Sequence, residues 1–237
     1  MLKLSAASLL VLAATLAATT ASAQTTFHFG LRAGGNLAQQ TLPKGGEPPF
    51  FVLSSESSNS ALLSGQAGLV FEARFGRLAF QPALLFSQKG VKSAGTLALV
   101  PPAQGQYSYD YTDWHTTTRT NWLELPLNFV YTPKIDRGFQ VFGGPYVALG
   151  IGGRQISSGL ETSSGGAPRR DISLNSPVVY GSGNYQRFDA GVNLGIGYRA
   201  GPLQLQAGYG LGLRSLFTAT DCYNRVAQLT ATYFWGK

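Results

Sequence analysis

The sequence predicts an all-β fold, an eight-stranded antiparallel up-and-down transmembrane β-barrel, and three observations predict it. A short apolar leader opens the chain, eight segments of about ten residues alternate apolar and polar side chains, and short turns alternate with long polar connections between them.

The leader has Lys3 as its positive start, residues 9–18 as an apolar core and Ala21-Ser22-Ala23 as a small-residue cleavage pattern. The core is far below the ~20 residues that carry a helix across a bilayer. Residues 1–23 are therefore read as a cleavable export signal, with a mature chain from Gln24 and one barrel domain over 24–237. No Cys follows the cleavage pattern, so a lipid anchor is not expected.

The alternation is read strand by strand. Residues 27–36 set Phe27, Phe29, Leu31 and Ala33 against His28, Arg32 and Asn36. Residues 65–75 set Leu69, Phe71 and Phe75 against Gln66, Glu72 and Arg74. Residues 77–89 set Leu78, Phe80, Leu84 and Phe86 against Arg77, Gln81, Ser87 and Lys89, and residues 121–131 set Leu123, Leu125, Leu127, Phe129 and Tyr131 against Trp122, Glu124 and Asn128. Pro126 is awkward in a ladder, so a bulge or a missing hydrogen bond is expected there. Residues 139–151 oppose Val141, Val147, Leu149 and Ile151 to Gln140 and Tyr146. Residues 187–199 oppose Phe188, Val192, Leu194, Ile196 and Tyr198 to Asp189 and Asn193. The seventh strand, from Leu203, opposes Leu205, Tyr209, Leu211 and Leu213 to Gln204, Gln206 and Arg214. The eighth opposes Leu229, Ala231, Tyr233 and Trp235 to Asn224, Gln228, Thr230 and Thr232.

Strands two and three meet at Gly76, four and five through residues 132–138, and six and seven through Ala200-Gly201, whereas residues 38–64, 91–120 and 152–186 are long and polar. Short turns on one side, long loops on the other and an even strand count make the outer-membrane arrangement, with the loops outside and mobile. After residue 23 no apolar stretch reaches 18 residues, so helical spans are excluded and a closed barrel is the remaining way to satisfy the backbone in lipid.

Composition narrows the partners. The formal net charge is +7, but the basic residues are scattered, and export separates the chain from cytoplasmic nucleic acid. Outer-membrane lipid and lipopolysaccharide are the expected surroundings, with periplasmic or surface proteins as partners of a monomer. One cysteine, Cys222, allows no internal disulfide, and no Cys/His spacing suits a metal, so no metal and no cofactor are expected.

Several stretches resemble the PorT-like outer-membrane β-barrel family of the Bacteroidetes. They are Phe80-Gln81-Pro82-Ala83-Leu84-Leu85-Phe86-Ser87-Gln88-Lys89-Gly90, Leu123-Glu124-Leu125-Pro126-Leu127, Gly144-Pro145-Tyr146, and Phe188-Asp189-Ala190-Gly191 with Gly195-Ile196-Gly197-Tyr198. Ala83 departs from the pattern, which often has Glu. The resemblance implies a non-enzymatic barrel and, for the founding type, a part in protein secretion; the shared positions build a barrel rather than a site.

Two groups of residues are candidate sites. Arg32, Glu72, Arg74, Lys89, Glu124, Asp189 and Arg214 fall on the polar face and are expected to plug the lumen as a charge network, with Asp189 diagonally opposite Arg214. Tyr107, Tyr109, Tyr111 and Trp114 form an aromatic run suited to contact with sugars or proteins, or else an extension of the third and fourth strands above the membrane. Beside that run, Asp110, Asp113 and His115 offer an Asp-His pair that could activate water in a lipid- or peptide-hydrolysing barrel, but no nucleophile motif accompanies it. The remaining class is a soluble lipocalin-like ligand-binding barrel, which would turn its apolar face inward. The leading reading is a non-enzymatic barrel in the cell outer membrane with a structural or surface-binding role.

Overall fold

The computed structural model describes residues 25–41, 52–99, 110–134, 137–163, 170–181, 185–218 and 221–236. The export signal expected over residues 1–23 lies outside the described residues. Ten strands are seen: β1 (Thr26–Gln40), β2 (Val52–Ser60), β3 (Leu62–Phe75), β4 (Leu78–Leu99), β5 (Asp110–Tyr131), β6 (Arg137–Ser163), β7 (Arg170–Pro177), β8 (Phe188–Ala200), β9 (Leu203–Gly212) and β10 (Asn224–Trp235).

Eight of them close a ring. β1 pairs with β3, β3 with β4, β4 with β5, β5 with β6, β6 with β8, β8 with β9 and β9 with β10, all antiparallel. β10 returns to β1 from Phe29↔Trp235 to Gln40↔Asn224, so no edge remains in the wall. Gly76 and Gly201 turn the chain at the short-turn end with φ of +61° and +58°, a conformation that favours glycine.

Side-chain alternation decides which face is which. Leu31, Leu69, Leu125, Val141, Ile196, Leu205 and Leu229 all point outward and are exposed, whereas Asn36, Gln66, Gln81, Gln140, Gln204 and Thr232 point inward and are buried. An apolar outer wall of this extent has no place in water and suits lipid. A girdle of exposed aromatics lies toward the short-turn end: Phe29, Phe129, Tyr131, Phe139, Tyr198 and Trp235. Neighbouring rings in it touch, as Phe139 does Tyr198 with centroids 5.4 Å apart. Amphipathic and aromatic rings at that level anchor a barrel at the membrane–water boundary.

Proline leaves its mark where the sequence expects it. The β4–β5 ladder runs Pro82↔Leu127 and then resumes at Leu85↔Glu124, with Pro126 in the gap. The bulge itself sits higher, between Asn121↔Gly152 and Trp122↔Gly150, where Ile151 has no partner.

The long connections correct the expectation of mobile loops. Residues 91–99, 110–120 and 152–163 continue β4, β5 and β6 beyond the barrel, and β2 and β7 lie within what reads as loop. β2 pairs β4 from Ser60↔Lys92 to Val52↔Leu99, and β7 pairs β6 from Arg154↔Pro177 to Glu161↔Arg170. The result is a sheet in the order β2-β4-β5-β6-β7 standing on the long-loop end. Ser, Thr and Gly on both faces hide these strands from a hydropathy pattern, while their backbone groups still pair.

Candidate functional site

The lumen is filled by two charge clusters. Nearer the short turns, Glu72 on β3 is fully buried and accepts from Arg199 Nη1 on β8 at 2.9 and 3.0 Å, from Arg74 at 3.3–3.4 Å and from Gln81 Nε2 on β4. His28 Nδ1 on β1 lies 3.2 Å from the same carboxylate. Arg32 donates to Thr232 Oγ1 at 2.9 Å and to Gln81 Oε1 at 3.5 Å, which joins it to the cluster. β3 and β8 are opposite each other in the ring, so the Glu72–Arg199 pair is a strut across the lumen.

Nearer the long-loop end, Lys89 Nζ on β4 lies 2.7 Å from Glu124 on β5 and 3.7 Å from Asp189 on β8. Asp189 also accepts from Asn224 Nδ2 at 2.8 Å and from the Tyr146 hydroxyl at 3.3 Å. The ammonium sits 4.5 Å from the centroid of the Tyr146 ring. Each carboxylate of the two clusters thus has a cation within 4 Å, as a buried ion in a low-dielectric interior requires. Two lumen spaces of about 10 Å³ each, one beside Arg32 and Asn128 and one beside Lys89 and Tyr146, are sized for a single water. Phe142 packs against Gly195 and Gly208, where a Cβ would come within 2.5 and 2.8 Å of its ring.

An aromatic cap covers the long-loop mouth. Trp122, Tyr146, Ala148, Leu216 and Cys222 form a buried cluster, with Tyr180 and Phe217 packed on it. The Tyr180 ring meets Trp122 edge-on at 5.3 Å, and Tyr185 lies 4.5 Å from Phe217. The strap that carries Leu216 is held by Leu216 N donating to Cys222 O at 2.8 Å and Gln186 N to Leu216 O at 2.8 Å. Burial raises the hydroxyls of Tyr180 and Tyr185 above the usual phenol range and pushes the Cys222 thiol up to about 11. All three are therefore neutral groups at ordinary pH. The signal for this cap is present in the sequence, because Trp122 and Tyr146 are large aromatics at the inward parity toward the long-loop end of their strands.

Six of the seven residues of the expected lumen network lie inside: Arg32, Glu72, Arg74, Lys89, Glu124 and Asp189 are all buried. Arg214 does not join them. β9 ends at Gly212, the chain turns so that Arg214 N donates to Ala190 O at 3.3 Å, and its exposed guanidinium lies 5.1 Å from the Phe188 ring. The diagonal Asp189–Arg214 pair is corrected accordingly, since Lys89 and Asn224 occupy Asp189. Arg199, which was not expected in the network, joins it at Glu72; it shares the inward parity of Asp189 and Asn193.

Tyr107 and Tyr109 lie outside the described residues. Tyr111 lies on β5 between Ala98 and Thr162, and Trp114, half-buried, between Gly95 and Gly159. Asp113 and His115 share the parity of Tyr111 and sit on the face opposite Trp114, where with Ser58, Thr96, Ser158 and Asp171 they line an open hollow of about 1050 Å³. The register sets His115 directly across from Ser158. Asp113, however, accepts from Thr96 Oγ1 at 2.8 Å, and among the described residues no hydrogen bond links His115 to Asp113 or to Ser158. A relay for activating water is not assembled there.

A family described as outer membrane protein beta-barrel domain matches residues 22–218. The chain belongs to that family. The apolar wall therefore faces outer-membrane lipid, the short turns face the periplasm and the protruding sheet faces outward. Among solved structures the chain is similar to Ail, the attachment invasion locus protein of Yersinia pestis, at 11% identity over 89% of this chain and 99% of that one, with a TM-score of 0.36. It is also similar to Neisserial surface protein A (13% identity, 86% and 96% covered, TM-score 0.37) and to the outer membrane channel DcaP of Acinetobacter baumannii (9% identity, 91% and 98% covered, TM-score 0.26). No curated protein sequence matches the chain.

Proposed function

We propose that this protein is a non-enzymatic surface-binding barrel that docks an extended segment of an extracellular partner onto its protruding sheet. The observation that carries the reading is the pair of edges: among the described residues β2 pairs only β4 and β7 pairs only β6, so neither has a second described strand beside it above the membrane. An added strand would pair along such an edge, as in other cases of recognition by strand addition. Ile172 and Leu174 on β7 are exposed and provide the apolar positions that such a strand would cover.

The sealed lumen supports binding rather than transport. With the two charge clusters, Phe142 and the aromatic cap in place, the barrel acts as a plug and a stalk. The PorT-like motifs support assigning it to that branch, and any part in secretion would then be as a docking scaffold rather than a conduit.

Photo-crosslinking on whole cells tests the reading, with the reactive residue placed at Ile172 on β7 or, for comparison, at Leu205 on the lipid face. Adducts with another protein are expected from Ile172 and not from Leu205, and planar bilayers should show no stable porin-like conductance. Adducts from neither position, or from Leu205 alone, in a barrel that still shifts on a gel when heated would overturn it.

A further inference from the structure

A second feature lies on the outer wall, just above the lipid. Arg119 on β5 and Arg154 on β6 are direct cross-strand partners, and both are exposed on the outward face. Like charges directly opposite each other destabilise an antiparallel pair. Lys92 on β4, also exposed, stands opposite Thr117 and thus diagonally beyond Arg119. Among the described residues every ion pair lies in the lumen, so no described carboxylate neutralises these three cations.

Their level along the strands is specific. On β5 the outward residues run Tyr131, Phe129, Leu125 and Leu123, then Asn121 and Arg119; on β6 they run Val141, Val147, Leu149 and Ile151, then Arg154. The cations begin where the apolar wall ends on the outward side. Arg187 and Arg214, both exposed, continue the belt beside Phe188. On the described outward faces of β5 and β7 the carboxylates, Asp113 and Asp171, lie farther from the membrane than these cations.

We propose that Arg119 and Arg154, with Lys92 beside them, bind a phosphate of an anionic glycolipid in the outer leaflet, whose acyl chains lie along Leu123, Leu149 and Ile151. Guanidinium groups present paired donors that match phosphate oxygens, so one phosphate placed between the two arginines turns their repulsion into attraction. The apolar wall next to the site supplies the contact that commits it to a lipid; a free phosphate at so exposed a place would be held by screened charge alone. This inference rests on the membrane placement of the barrel and is independent of strand docking.

Native mass spectrometry of the full chain in nonionic detergent micelles tests it, with bis-phosphorylated lipid A, dephosphorylated lipid A and inorganic phosphate as probes. One bis-phosphorylated lipid A should be retained. Arg119→Gln or Arg154→Gln should each weaken retention about fivefold, and the triple variant with Lys92→Gln about a hundredfold, from the usual contribution of a basic residue near an anionic surface. Arg77→Gln and Lys134→Gln, exposed cations of the short-turn end, should change nothing. Stability adds an independent sign: Arg119→Gln should stabilise the barrel in phosphatidylcholine vesicles, by relieving repulsion, and destabilise it in vesicles that contain lipid A. The same retention by the triple variant, equal retention of dephosphorylated lipid A, displacement by equimolar inorganic phosphate, or the same sign of stability change in both vesicles would each overturn the proposal.

Discussion

Two regions built from the same strands obey different rules. Along β5, Trp122, Glu124, Asn128 and Val130 are buried while Leu123, Leu125, Phe129 and Tyr131 face lipid, and every second residue changes character. Beyond Thr120 the same strand reads Thr116, Thr117 and Thr118 in succession, with Asp113 and His115 on one face and Trp114 on the other. Its backbone is paired on both sides in both regions, with gaps only in the barrel, at residues 125–126 toward β4 and 127–128 toward β6. Lipid on one side and a packed interior on the other impose the alternation; the ladder itself does not need it. The border is marked by the bulge at Ile151, beyond which Arg154 breaks the outward apolar run Val147, Leu149 and Ile151 of β6.

If that contrast is right, substitutions in the barrel should cost far more than substitutions in the protrusion. The largest effect is expected from Glu72→Leu, which strips Arg74 and Arg199 of the carboxylate they share and leaves buried cations uncompensated. Breaking a buried ion pair in this way costs about 3–5 kcal/mol, to be read from urea unfolding in lipid vesicles. A loss below about 1 kcal/mol would remove the strut across the lumen from the account of stability.

Next comes Leu125→Arg, a basic residue on the lipid face near mid-barrel, which should cost about 2–4 kcal/mol in the same assay. Its neighbour offers the internal control. Glu124→Gln keeps a hydrogen-bonding group, and Asp189 remains within 3.7 Å of Lys89, so the loss should be smaller. A harmless Leu125→Arg with a collapsing Glu124→Gln would mean that the barrel is inside out.

Cys222 probes the cap between the two regions. Burial pushes its thiol up to about 11, which leaves about a hundredfold fewer thiolates than an ordinary cysteine has at the same pH. Labelling by a thiol reagent near pH 8 should be correspondingly slow in the folded barrel and fast in urea. Prompt labelling of the folded protein would show that the strap carrying Leu216 and Cys222 opens.

The same contrast explains what the sequence made legible. All eight wall strands could be found, because lipid forces Leu31, Leu69, Leu125 and their equivalents to one parity, and the inward charges Glu72, Lys89, Glu124 and Asp189 follow from the other. β2 and β7 could not be found, because Ser54, Ser55, Ser57 and Ser58 on β2, or Ser173 and Asn175 on β7, give no contrast between faces. Pairings within the lumen were harder than membership of it. Parity says that Asp189 and Arg199 point inward, but only the stagger and curvature of the closed ring bring Arg199 to Glu72 across the lumen, and only the turn after Gly212 takes Arg214 out of it.

The smallest effect belongs to the protrusion. Ile172→Ser together with Leu174→Ser alters two exposed side chains on β7, a strand that among the described residues pairs with β6 alone. Surface substitutions of this kind usually stay within about 0.5 kcal/mol, so unfolding in urea should be unchanged. Crosslinking to a partner from the neighbouring Ser173 should nevertheless fall, because the apolar positions that an added strand would cover are gone. A loss of several kcal/mol would instead make the protruding sheet part of one cooperative unit with the barrel. The two regions would then differ in pattern but not in what holds them together.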